Sequence, residues 1–524
     1  STMAAAPDLL TVLCERHPEK VALIDDRPDG TVQRFDFAEF EAAANRLAHA
    51  LKGAGLSRGD KVVWCGQNSP ALVFLIHAAR KAGLTAVPIN YRLTPDEAAY
   101  VVDNSDAALA YVDAEFAPLF DRILEQTPKL RARWVFDGSA EACRGAQALD
   151  AILDGMPDSP PGDGASAEAA ATMIYTSGTT GKPKGALRRG GTDPEQLGAL
   201  VKLIGYVPDD IYLTTGPLYH SGPAGFMGIG QALGNTVVIQ RRFHAEDWLR
   251  LVDRHRVTST FSAPTPIRLV CNLSKEVKAQ YDRGSIKRMI ANAAPWSFAL
   301  KQAYLSDFPE DSLFEVYGST ELGVNTVMRP EDQRRKPGSC GKASPFVELA
   351  LFGDDGQRIE EPNVPGELFV RSRTVFETYY KAKEKYEADR RGTFHTVGDV
   401  AYIDEEGFVF ICDRKKDMII SGGMNIYPAE IEAALESHPE IADVASFGIP
   451  SEDWGESVHA IVVLHANSSL GEADVINYAR EHLAGYKIPR SVSFLEEIPR
   501  TGSGKILKRV LREPFWKDHQ SGVA

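Results

Sequence analysis

The chain has 524 residues, which is too long for one ordinary hydrophobic core, so we expect at least two domains. Hydrophobic residues make up 44% and charged residues 25% of the sequence, a composition typical of a soluble globular protein. The formal net charge of −14 argues against a nucleic-acid-binding surface, which normally shows clustered basic residues.

The distribution of cysteine and apolar residues indicates the compartment. The six cysteines lie far apart without a CxxC pair, a pattern that suits reduced thiols better than disulfides or a zinc site. The longest apolar stretch, residues 71–79, contains His77 and is too short to cross a bilayer. The N-terminus shows no basic segment leading into an apolar one, as a secretory signal would. We therefore expect a cytoplasmic protein without a transmembrane segment.

The first part of the chain alternates predicted helices and strands. Asp36 and Glu39 are spaced as a capping box before a helix with an apolar face. Residues 61–65 are strand-like, Ser69 precedes a second helix as its N-cap, and residues 84–89 are again strand-like. Such alternation predicts βα units and a mainly parallel, buried sheet, and therefore an α/β fold class.

The pattern changes near the C-terminus, where a helix-like segment at 429–435 leads into alternating short strands and one further helix. This is typical of a small α+β unit of about a hundred residues, within the usual domain range. The charged stretch 413–417 separates it from the preceding apolar segments. We predict a large N-terminal domain over 1–415 and a small, mobile C-terminal domain over 416–524, joined by a hinge.

Residues 175–185 read YTSGTTGKPKG and concentrate glycine, hydroxyl and lysine side chains after a β-favouring run. Glycines let backbone N–H groups turn toward one point, and such a concavity suits a polyphosphate whose charge the lysines also meet. The loop is not a Walker A motif, because Thr176 stands where that motif has a glycine five residues before Gly181. A surface loop without a ligand is the alternative, but this composition favours phosphate binding.

This run resembles the phosphate loop of the adenylate-forming superfamily, which includes acyl-CoA synthetases, luciferases and the adenylation domains of peptide synthetases. Further segments match that family, in its order, over nearly the whole chain. The resemblance implies activation of a carboxylic acid, with ATP, Mg²⁺ and coenzyme A as cofactor and co-substrates. In this loop it assigns nucleotide binding to Thr176 (also catalytic), Ser177, Gly178, Thr179, Thr180, Gly181, Lys182 and Lys184.

A second matching segment, YGSTE at 317–321, follows the strand-like residues 313–316. Alone, it is only a strand that ends in a polar turn. In the family the aromatic residue stacks on adenine, the threonine contacts the α-phosphate and the glutamate serves magnesium, which prefers carboxylate oxygen beside phosphates. The resemblance therefore assigns nucleotide binding to Tyr317, Gly318, Ser319 and Thr320, and a catalytic, metal-binding role to Glu321.

Three residues near the domain boundary match the family's ribose and hinge positions. Asp399, in the segment HTVGD, resembles the aspartate that accepts hydrogen bonds from the ribose hydroxyls. Arg414 matches an arginine near the ribose or phosphates. Lys416 occupies the hinge position, where the family usually has lysine or aspartate.

Two C-terminal segments match family motifs that serve different steps. Gly422 and Gly423 match the loop that shapes the tunnel for coenzyme A, where a side chain would block close backbone approach. Lys505, in the segment PRTGSGK, matches the lysine that meets the carboxylate and the α-phosphate as they react. The alternatives are a tight turn and a solvated surface lysine.

The acyl pocket rests on the weakest match. His220 is expected to be an aromatic gate, or else a simple turn histidine, and the glycines after it predict a roomy apolar cavity for a medium-chain or bulky hydrophobic acid. Residues 186–190 read ALRRG, where many members have a Thr-His-Arg/Gly-Asn-like run, which leaves substrate and subfamily open. The predicted pocket residues are His220 (also catalytic), Ser221, Gly222, Phe226, Ala293, Ala294, Trp296 and Val324.

The resemblance predicts an AMP-forming acyl-CoA synthetase, an acid–thiol ligase. A carboxylate and Mg-ATP first give acyl-AMP and pyrophosphate, and the thiol of coenzyme A then displaces AMP. An aromatic-acid CoA ligase, an adenylation enzyme that loads a carrier protein, a luciferase-like oxygenase and a non-catalytic nucleotide-binding module remain alternatives. The expected partners are the acid, ATP and coenzyme A, without nucleic acid, and a homodimer is left open.

Overall fold

The structure is a computed structural model that describes residues 7–162, 170–176, 182–189, 193–292, 296–500 and 505–517. Its helices in these ranges are α1 (Leu9–Arg16), α2 (Phe37–Gly53), α3 (Pro70–Ala82), α4 (Pro95–Asn104), α5 (Ala117–Arg122), α6 (Leu149–Leu153), α7 (Pro194–Ile204), α8 (Ser221–Ala232), α9 (Ala245–His255), α10 (Pro264–Cys271), α11 (Lys275–Ala279), α12 (Phe298–Asp307), α13 (Lys383–Ala388), α14 (Pro428–Glu436), α15 (Glu472–His482) and α16 (Lys508–Trp516).

The strands in the same ranges are β1 (Val21–Asp26), β2 (Val32–Asp36), β3 (Lys61–Cys65), β4 (Thr85–Pro88), β5 (Leu109–Asp113), β6 (Ala132–Phe136), β7 (Gln147–Ala148), β8 (Ala171–Thr176), β9 (Lys184–Arg189), β10 (Ile211–Leu213), β11 (Thr236–Ile239), β12 (Ser259–Ser262), β13 (Arg288–Asn292), β14 (Leu313–Ser319), β15 (Gly323–Met328), β16 (Lys342–Ala343), β17 (Val347–Phe352), β18 (Arg358–Ile359), β19 (Gly366–Ser372), β20 (Thr378–Tyr379), β21 (Arg390–Arg391), β22 (Phe394–His395), β23 (Asp399–Ile403), β24 (Val409–Arg414), β25 (Ile419–Ser421), β26 (Met424–Ile426), β27 (Ile441–Ser451), β28 (Gly455–Leu464) and β29 (Ser491–Phe494).

The predicted helix starts are found at the expected residues. Asp36 and Glu39 form a reciprocal capping box at α2, in which each side chain accepts the backbone N–H of the other residue. Ser69 caps α3 before Pro70, and Gly83 ends that helix in the left-handed conformation. These local signals are strong because each satisfies backbone groups that a helix end leaves unpaired.

Two large, mainly parallel sheets form the first architectural layer. One has the order β16-β15-β14-β13-β12-β10-β11-β1-β2 and the other β20-β9-β8-β4-β3-β5-β6-β7. Their central neighbours, such as β12 with β13 and β3 with β4, pair in parallel, while the edges carrying β15 and β9 are antiparallel. The expected α/β class is confirmed, because buried parallel strands are connected through covering helices.

The largest hydrophobic core lies between these two sheets. Alternate residues of β11, Val237 and Ile239, face this core, while Val238 between them faces a second core on the other side of its sheet. The period of two is that of a strand buried on both faces. Helices α2, α3 and α8 contribute buried residues to the central core.

A third sheet is antiparallel, with the path β18-β17-β19-β22-β21 and with β23 bridging β19 and β24. A fourth, smaller sheet has the order β26-β25-β28-β27, with β29 parallel to β28. Helices α14 and α15 pack on the fourth sheet and share its core. This is the small α+β unit expected near the C-terminus.

The third sheet ends with β24 at Arg414 and the fourth begins with β25 at Ile419. A short 3₁₀ turn, Lys415–Asp417, connects them and contains the predicted boundary after residue 415. Among the described helices, none combines the length and the apolar character needed to cross a lipid bilayer.

Candidate active site

The phosphate loop connects two antiparallel strands, β8 and β9. Thr176 is the last residue of β8 and pairs with Lys184, the first residue of β9. The Thr176 hydroxyl lies 3.5 Å from the Lys184 carbonyl oxygen, and the Lys182 ammonium lies 4.7 Å from the centre of the Tyr100 ring. Five of the predicted loop residues lie outside the described part of the chain, namely Ser177, Gly178, Thr179, Thr180 and Gly181.

The segment 317–321 spans the end of β14 and the turn into β15. Gly318 has no room for a side chain, because a Cβ atom there would overlap the backbone carbonyl of Gly323. Gly323 itself has a φ of +73°, a backbone conformation that favours glycine. The Ser319 hydroxyl accepts the Leu322 N–H at 3.0 Å. The tight turn fixes where Thr320 and Glu321 lie.

Arg188, on β9, is hydrogen bonded to the backbone of this turn. Its guanidinium donates to the carbonyl oxygens of Thr320 at 2.8 Å and Glu321 at 3.1 Å, and also to that of Thr374. Burial lowers the pKa of Arg188, and the nearby Glu321 carboxylate opposes this effect. A residue of the unusual run 186–190 therefore links the phosphate-loop hairpin to the second nucleotide motif.

Glu321 carries the carboxylate that the resemblance assigns to the metal. Its Oε2 atom accepts the Tyr379 hydroxyl hydrogen bond at 2.9 Å. The positive charges of Arg188 and Lys505 lie near this carboxylate, which opposes the lowering of the pKa of both groups. One carboxylate beside nucleotide phosphates fits Mg²⁺, which usually takes one or two protein carboxylates and keeps several waters. In the described ranges no cluster of three or more His, Cys, Asp or Glu residues suited to a metal was found.

Asp399 lies at the start of β23 and is buried. Its Oδ2 atom accepts the hydroxyl hydrogen bond of Tyr317, and its Oδ1 atom lies 3.3 Å from the Arg414 guanidinium. Burial and the Asp399 charge together raise the pKa of Tyr317 well above its ordinary value, so the phenol keeps its proton. Tyr317 is itself only 4% exposed, so its predicted stacking on adenine stays a prediction.

Lys505 lies beside the predicted nucleotide-binding residues, whereas residues 501–504 of its motif lie outside the described part of the chain. Burial lowers the pKa of Lys505, and the positive charges of Arg414 and Lys416 lower it further, while Glu321 and Asp399 oppose this shift. The small C-terminal unit is therefore oriented with its motif lysine among the charged residues of the large domain. That is the neighbourhood that charge stabilisation of an adenylating step requires.

The two predicted tunnel glycines lie in the turn between β25 and β26. Gly422 and Gly423 have φ values of +56° and +79°, which favour glycine, and both are exposed. The Gly422 N–H donates to the Trp454 carbonyl oxygen at 2.9 Å. Lys416 is exposed in the 3₁₀ turn between the third and fourth sheets. The tunnel and hinge roles of these residues stay predictions.

Helix α8 brings the predicted acyl pocket to the nucleotide motif. His220 is its N-cap residue, and the His220 ring lies 4.3 Å from the Tyr219 ring. The hydroxyl of Ser221, the first residue of α8, lies 2.9 Å from the Thr320 hydroxyl. The start of α8 therefore adjoins the residue assigned to the α-phosphate.

Further along α8, the predicted pocket residue Phe226 packs against a second aromatic ring. Phe226 stacks on Phe261 with ring centres 4.8 Å apart, and a side chain at Gly222 would overlap the Phe261 ring. Val324, on β15, packs partly buried against the same core. Gly222 and Phe226 are thus brought together by the Phe261 ring.

Trp296 is not brought to the same place. It is 5% exposed, its indole N–H donates to the Ser262 carbonyl oxygen at 2.9 Å, and it belongs to the core on the opposite face of the sheet from Phe226. Its hydrogen bond and packing hold Trp296 in that other core, and its predicted role in the acyl pocket stays a prediction. Ala293 and Ala294 lie outside the described residues.

The described site thus combines a glycine-bearing turn, the Glu321 carboxylate, a buried Asp399–Tyr317 pair with Arg414 beside it, and the nearby Lys505. A model of the AMP-binding enzyme family matches residues 10–380, and one of the AMP-binding enzyme C-terminal domain matches residues 430–505. This chain belongs to the AMP-binding enzyme family. Such enzymes use ATP and Mg²⁺, with coenzyme A as co-substrate.

Proteins similar to this AMP-binding enzyme act on different acids. The long-chain-fatty-acid–CoA ligase FadD13 of Mycobacterium tuberculosis is 34% identical, covering 92% of this chain and 93% of that protein. The indoleacetate–CoA ligase of Aromatoleum aromaticum is 32% identical, covering 93% of this chain and 95% of that protein. The o-succinylbenzoate CoA synthetase (MenE) of Bacillus subtilis, solved with the acyl-adenylate OSB-AMP, has a TM-score of 0.83 and 29% identity, covering 100% of both chains.

Two residues of this AMP-binding enzyme site were missed by the sequence reasoning. Arg188 was noticed only as a departure from the family pattern, although it binds the nucleotide motif. Tyr379, which donates to Glu321, lies on β20 and carries no local motif. Both are recognised only when distant strands are placed side by side, since β9 pairs with β8 and with β20.

Proposed function

We propose that this enzyme is an AMP-forming ligase that activates a medium-chain or bulky hydrophobic acid and transfers the acyl group to coenzyme A. The substrate class rests on one observation, the open face of α8 that begins beside Thr320. Ser221, Gly225 and Gly228 are spaced by four and three residues and so share one helix face. A Cβ atom at Gly225 or Gly228 would meet no described heavy atom within 4 Å.

This face supports an acyl chain that leads away from the reacting carboxylate. Its first residue, Ser221, is hydrogen bonded to Thr320, where the nucleotide motif lies. Glycine leaves space free of side chains at the next two turns, and the neighbouring residues Phe226 and Met227 are buried. A hydrophobic substrate gains free energy by removing apolar surface from water along such a wall.

The proposed first step joins one carboxylate oxygen of the acid to the α-phosphorus of ATP. The bond from that phosphorus to the bridging oxygen breaks, and pyrophosphate leaves with both of its electrons. Thr320 and Lys505 would position and stabilise the charge that develops on the α-phosphate. Glu321 would hold Mg²⁺, which when bound supplies neutralisation of the phosphate charge. Arg414 and Asp399 would orient the ribose.

The proposed second step is attack of the coenzyme A thiolate on the acyl carbonyl carbon. A carbon–sulfur bond forms, the bond from the acyl carbon to the phosphate oxygen breaks, and AMP leaves. The exposed turn at Gly422 and Gly423 would then line the route of the thiol arm. This step needs a different placement of the small domain, because that turn and Lys505 lie on different parts of it.

An aromatic acid is the second candidate substrate. The stacked Phe226 and Phe261 rings favour it, because a further aromatic ring gains from offset or edge contacts beyond its buried area. The similarity to an indoleacetate–CoA ligase points the same way. Both candidates share the adenylation chemistry and differ only in the shape of the acyl part.

A pyrophosphate-release screen tests the proposal. Straight-chain acids of graded length and aromatic acids of matched size would be supplied with Mg-ATP, with and without coenzyme A. We expect the highest kcat/KM for a medium-chain or bulky hydrophobic acid and AMP release that depends on coenzyme A. Preference for acetate, or pyrophosphate release without any acyl-CoA product, would contradict the substrate class or the acceptor respectively. The Lys505→Ala variant serves as the negative control for adenylation.

A further inference from the structure

An ion pair joins the large domain to the small one at a distance from the nucleotide residues. Arg268, on α10, places its guanidinium 3.1 Å from the carboxylate of Glu436, the last residue of α14. Helix α10 belongs to the large domain and α14 to the small α+β unit. The contact therefore exists only in the present placement of the two units.

This ion pair is largely shielded from solvent. The side chains of Arg268 and Glu436 are 23% and 16% exposed. Burial raises the pKa of Glu436, the charge of Arg268 opposes this, Asp443 adds to it, and Ser297 and Arg500 oppose it again. The charged form of the Glu436 carboxylate thus depends on Arg268 and its other partners. Removing one partner of a shielded pair is far more disruptive than removing an exposed charge.

A second ion pair lies within the small domain, and its charges act on Glu436. Arg500 lies 2.7 Å from both carboxylate oxygens of Asp443, on β27. A backbone bridge pairs Arg500 with Ile506, and the Leu507 N–H donates to the Pro499 carbonyl oxygen at 2.9 Å. These contacts join residue 500 to the residues that directly follow Lys505.

We propose that Arg268, Glu436, Asp443 and Arg500 form a positioning network that holds Lys505 against the large domain during adenylation. The charges alternate from Arg268 to Glu436, then to Arg500, whose charge also acts on Glu436, and finally to Asp443. The network separates when the small domain moves for acyl transfer. The inference rests on the proposed function of Lys505, but it assigns Arg268 and Glu436 to positioning and not to contact with the substrate.

Half-reaction kinetics of the full-length enzyme test this network. Arg268→Gln should lower the single-turnover rate of acyl-AMP formation by about 10-fold or more, because a smaller fraction of molecules holds the competent arrangement. Transfer from supplied acyl-AMP to coenzyme A should change by less than about 3-fold, because it does not use this arrangement. The matched control is Asp282→Asn, which breaks an exposed Arg–Asp pair in the large domain and should leave both rates unchanged.

Charge exchange separates positioning from folding. Arg268→Glu should lose adenylation, and the double variant Arg268→Glu/Glu436→Arg should recover much of it, since the attraction is restored with reversed sign. Equal loss of both half-reactions in Arg268→Gln, or no recovery in the double variant, would overturn the network. If the wild-type enzyme adenylates no acid, the proposed function fails; if Lys505→Ala abolishes adenylation while Arg268→Gln does not change it, only the network fails.

Discussion

The Arg188 guanidinium donates hydrogen bonds to three backbone carbonyl oxygens. Two of them belong to Thr320 and Glu321, so the arginine connects the fold of β9 to the chemistry of the nucleotide motif. Hydrogen bonds to a charged group contribute about 1.5–3 kcal/mol each. The Glu321 carbonyl also accepts the Phe376 N–H at 2.7 Å, so loss of the arginine would fall mainly on the Thr320 and Thr374 carbonyls. The position of the nucleotide motif therefore depends on a residue outside every motif.

We expect Arg188→Met to lower adenylation kcat/KM by about 10²-fold or more and to destabilise the large domain by a few kcal/mol. Adenylation kinetics and urea unfolding would measure the two effects. The matched control is Arg189→Gln, one residue further on, because Arg189 is half-exposed and pairs with the equally exposed Glu377. That variant should stay within about 1 kcal/mol of the wild type. A comparable loss of activity and stability in both variants would show that the hydrogen bonds to the carbonyl groups are not the cause.

The lowered pKa of Lys505 predicts how adenylation depends on pH. Burial is the main cause of the shift, and the charges of Arg414 and Lys416 add to it. Because the pKa is lowered, the ammonium loses its proton at a lower pH than an ordinary lysine, whose value is 10.5. Adenylation kcat/KM, which reports the free enzyme, should therefore fall on the alkaline side before that value is reached.

Lys505→Arg tests the assignment of this alkaline limb. Arginine keeps its charge throughout the accessible range, so the residual activity should no longer fall at the pH where the wild-type activity does. Lys505→Ala should slow acyl-AMP formation by about 10²–10³ at neutral pH. An unchanged alkaline limb in the arginine variant would assign the titration to another group.

Helix α8 is the element on which substrate choice depends. Its glycines at 225 and 228 are exposed and leave open space, whereas Gly222 is required by the Phe261 ring. Leu at either open position should shift preference toward shorter acids, because each methylene excluded from a hydrophobic pocket is worth about 1–3 kcal/mol. The relative kcat/KM over an acid series of graded length measures this shift.

Alanine at the same two positions provides the control. It brings the same gain in helix propensity over glycine, about 1 kcal/mol, with far less volume. Gly225→Ala and Gly228→Ala should therefore keep the wild-type chain-length profile. If the leucine variants kept it as well, the acyl group would bind elsewhere.

The helices and parallel strands were the predictable elements, because their signals are local. The capping box at Asp36 and the Ser69–Pro70 start each satisfy helix-end groups within four residues, and both were found in place. The antiparallel third sheet was not anticipated. Its strands are short, and they pair over long sequence distances, as between β19 and β23, so no local period reveals the partner.

The site also contains residues that the sequence could predict and contacts that it could not. Motif residues such as Glu321, Asp399 and Lys505 could be named from the sequence because each lies in a short pattern. The contacts of Asp399 with Tyr317, of Glu321 with Tyr379 and of Arg188 with the turn could not, since each joins residues more than 50 positions apart. The packing of Trp296 and Phe226 in different cores could not be predicted either, because a sequence does not say on which face of a sheet a side chain will pack.

The whole molecule is held in one of the two placements that the proposed reaction requires. Lys505 lies among the charges of Glu321 and Asp399, while the turn at Gly422 and Gly423 is exposed on the same small domain. In the proposed reaction the lysine serves the first step and the turn serves the second. We therefore expect the small domain to rotate about the segment Lys415–Asp417 between the two steps, a hinge motion of a common kind.

Gly423→Leu tests this rotation. In the acyl-transfer placement the leucine should obstruct the thiol arm, whereas in the present placement the position faces open space and a Cβ atom would meet nothing within 4 Å. Acyl transfer to coenzyme A should therefore fall by 10-fold or more, a loss of about 1.4 kcal/mol per tenfold, while pyrophosphate exchange stays nearly intact.

Because Gly423 has a φ of +79°, the leucine also strains the backbone by about 1–2 kcal/mol. Gly407→Leu controls for that strain, since Gly407 has a φ of +89° and open space in the large domain. Single-turnover rates of each half-reaction decide the outcome: a selective loss of acyl transfer supports rotation, whereas an equal loss of adenylation means that the turn only maintains the fold.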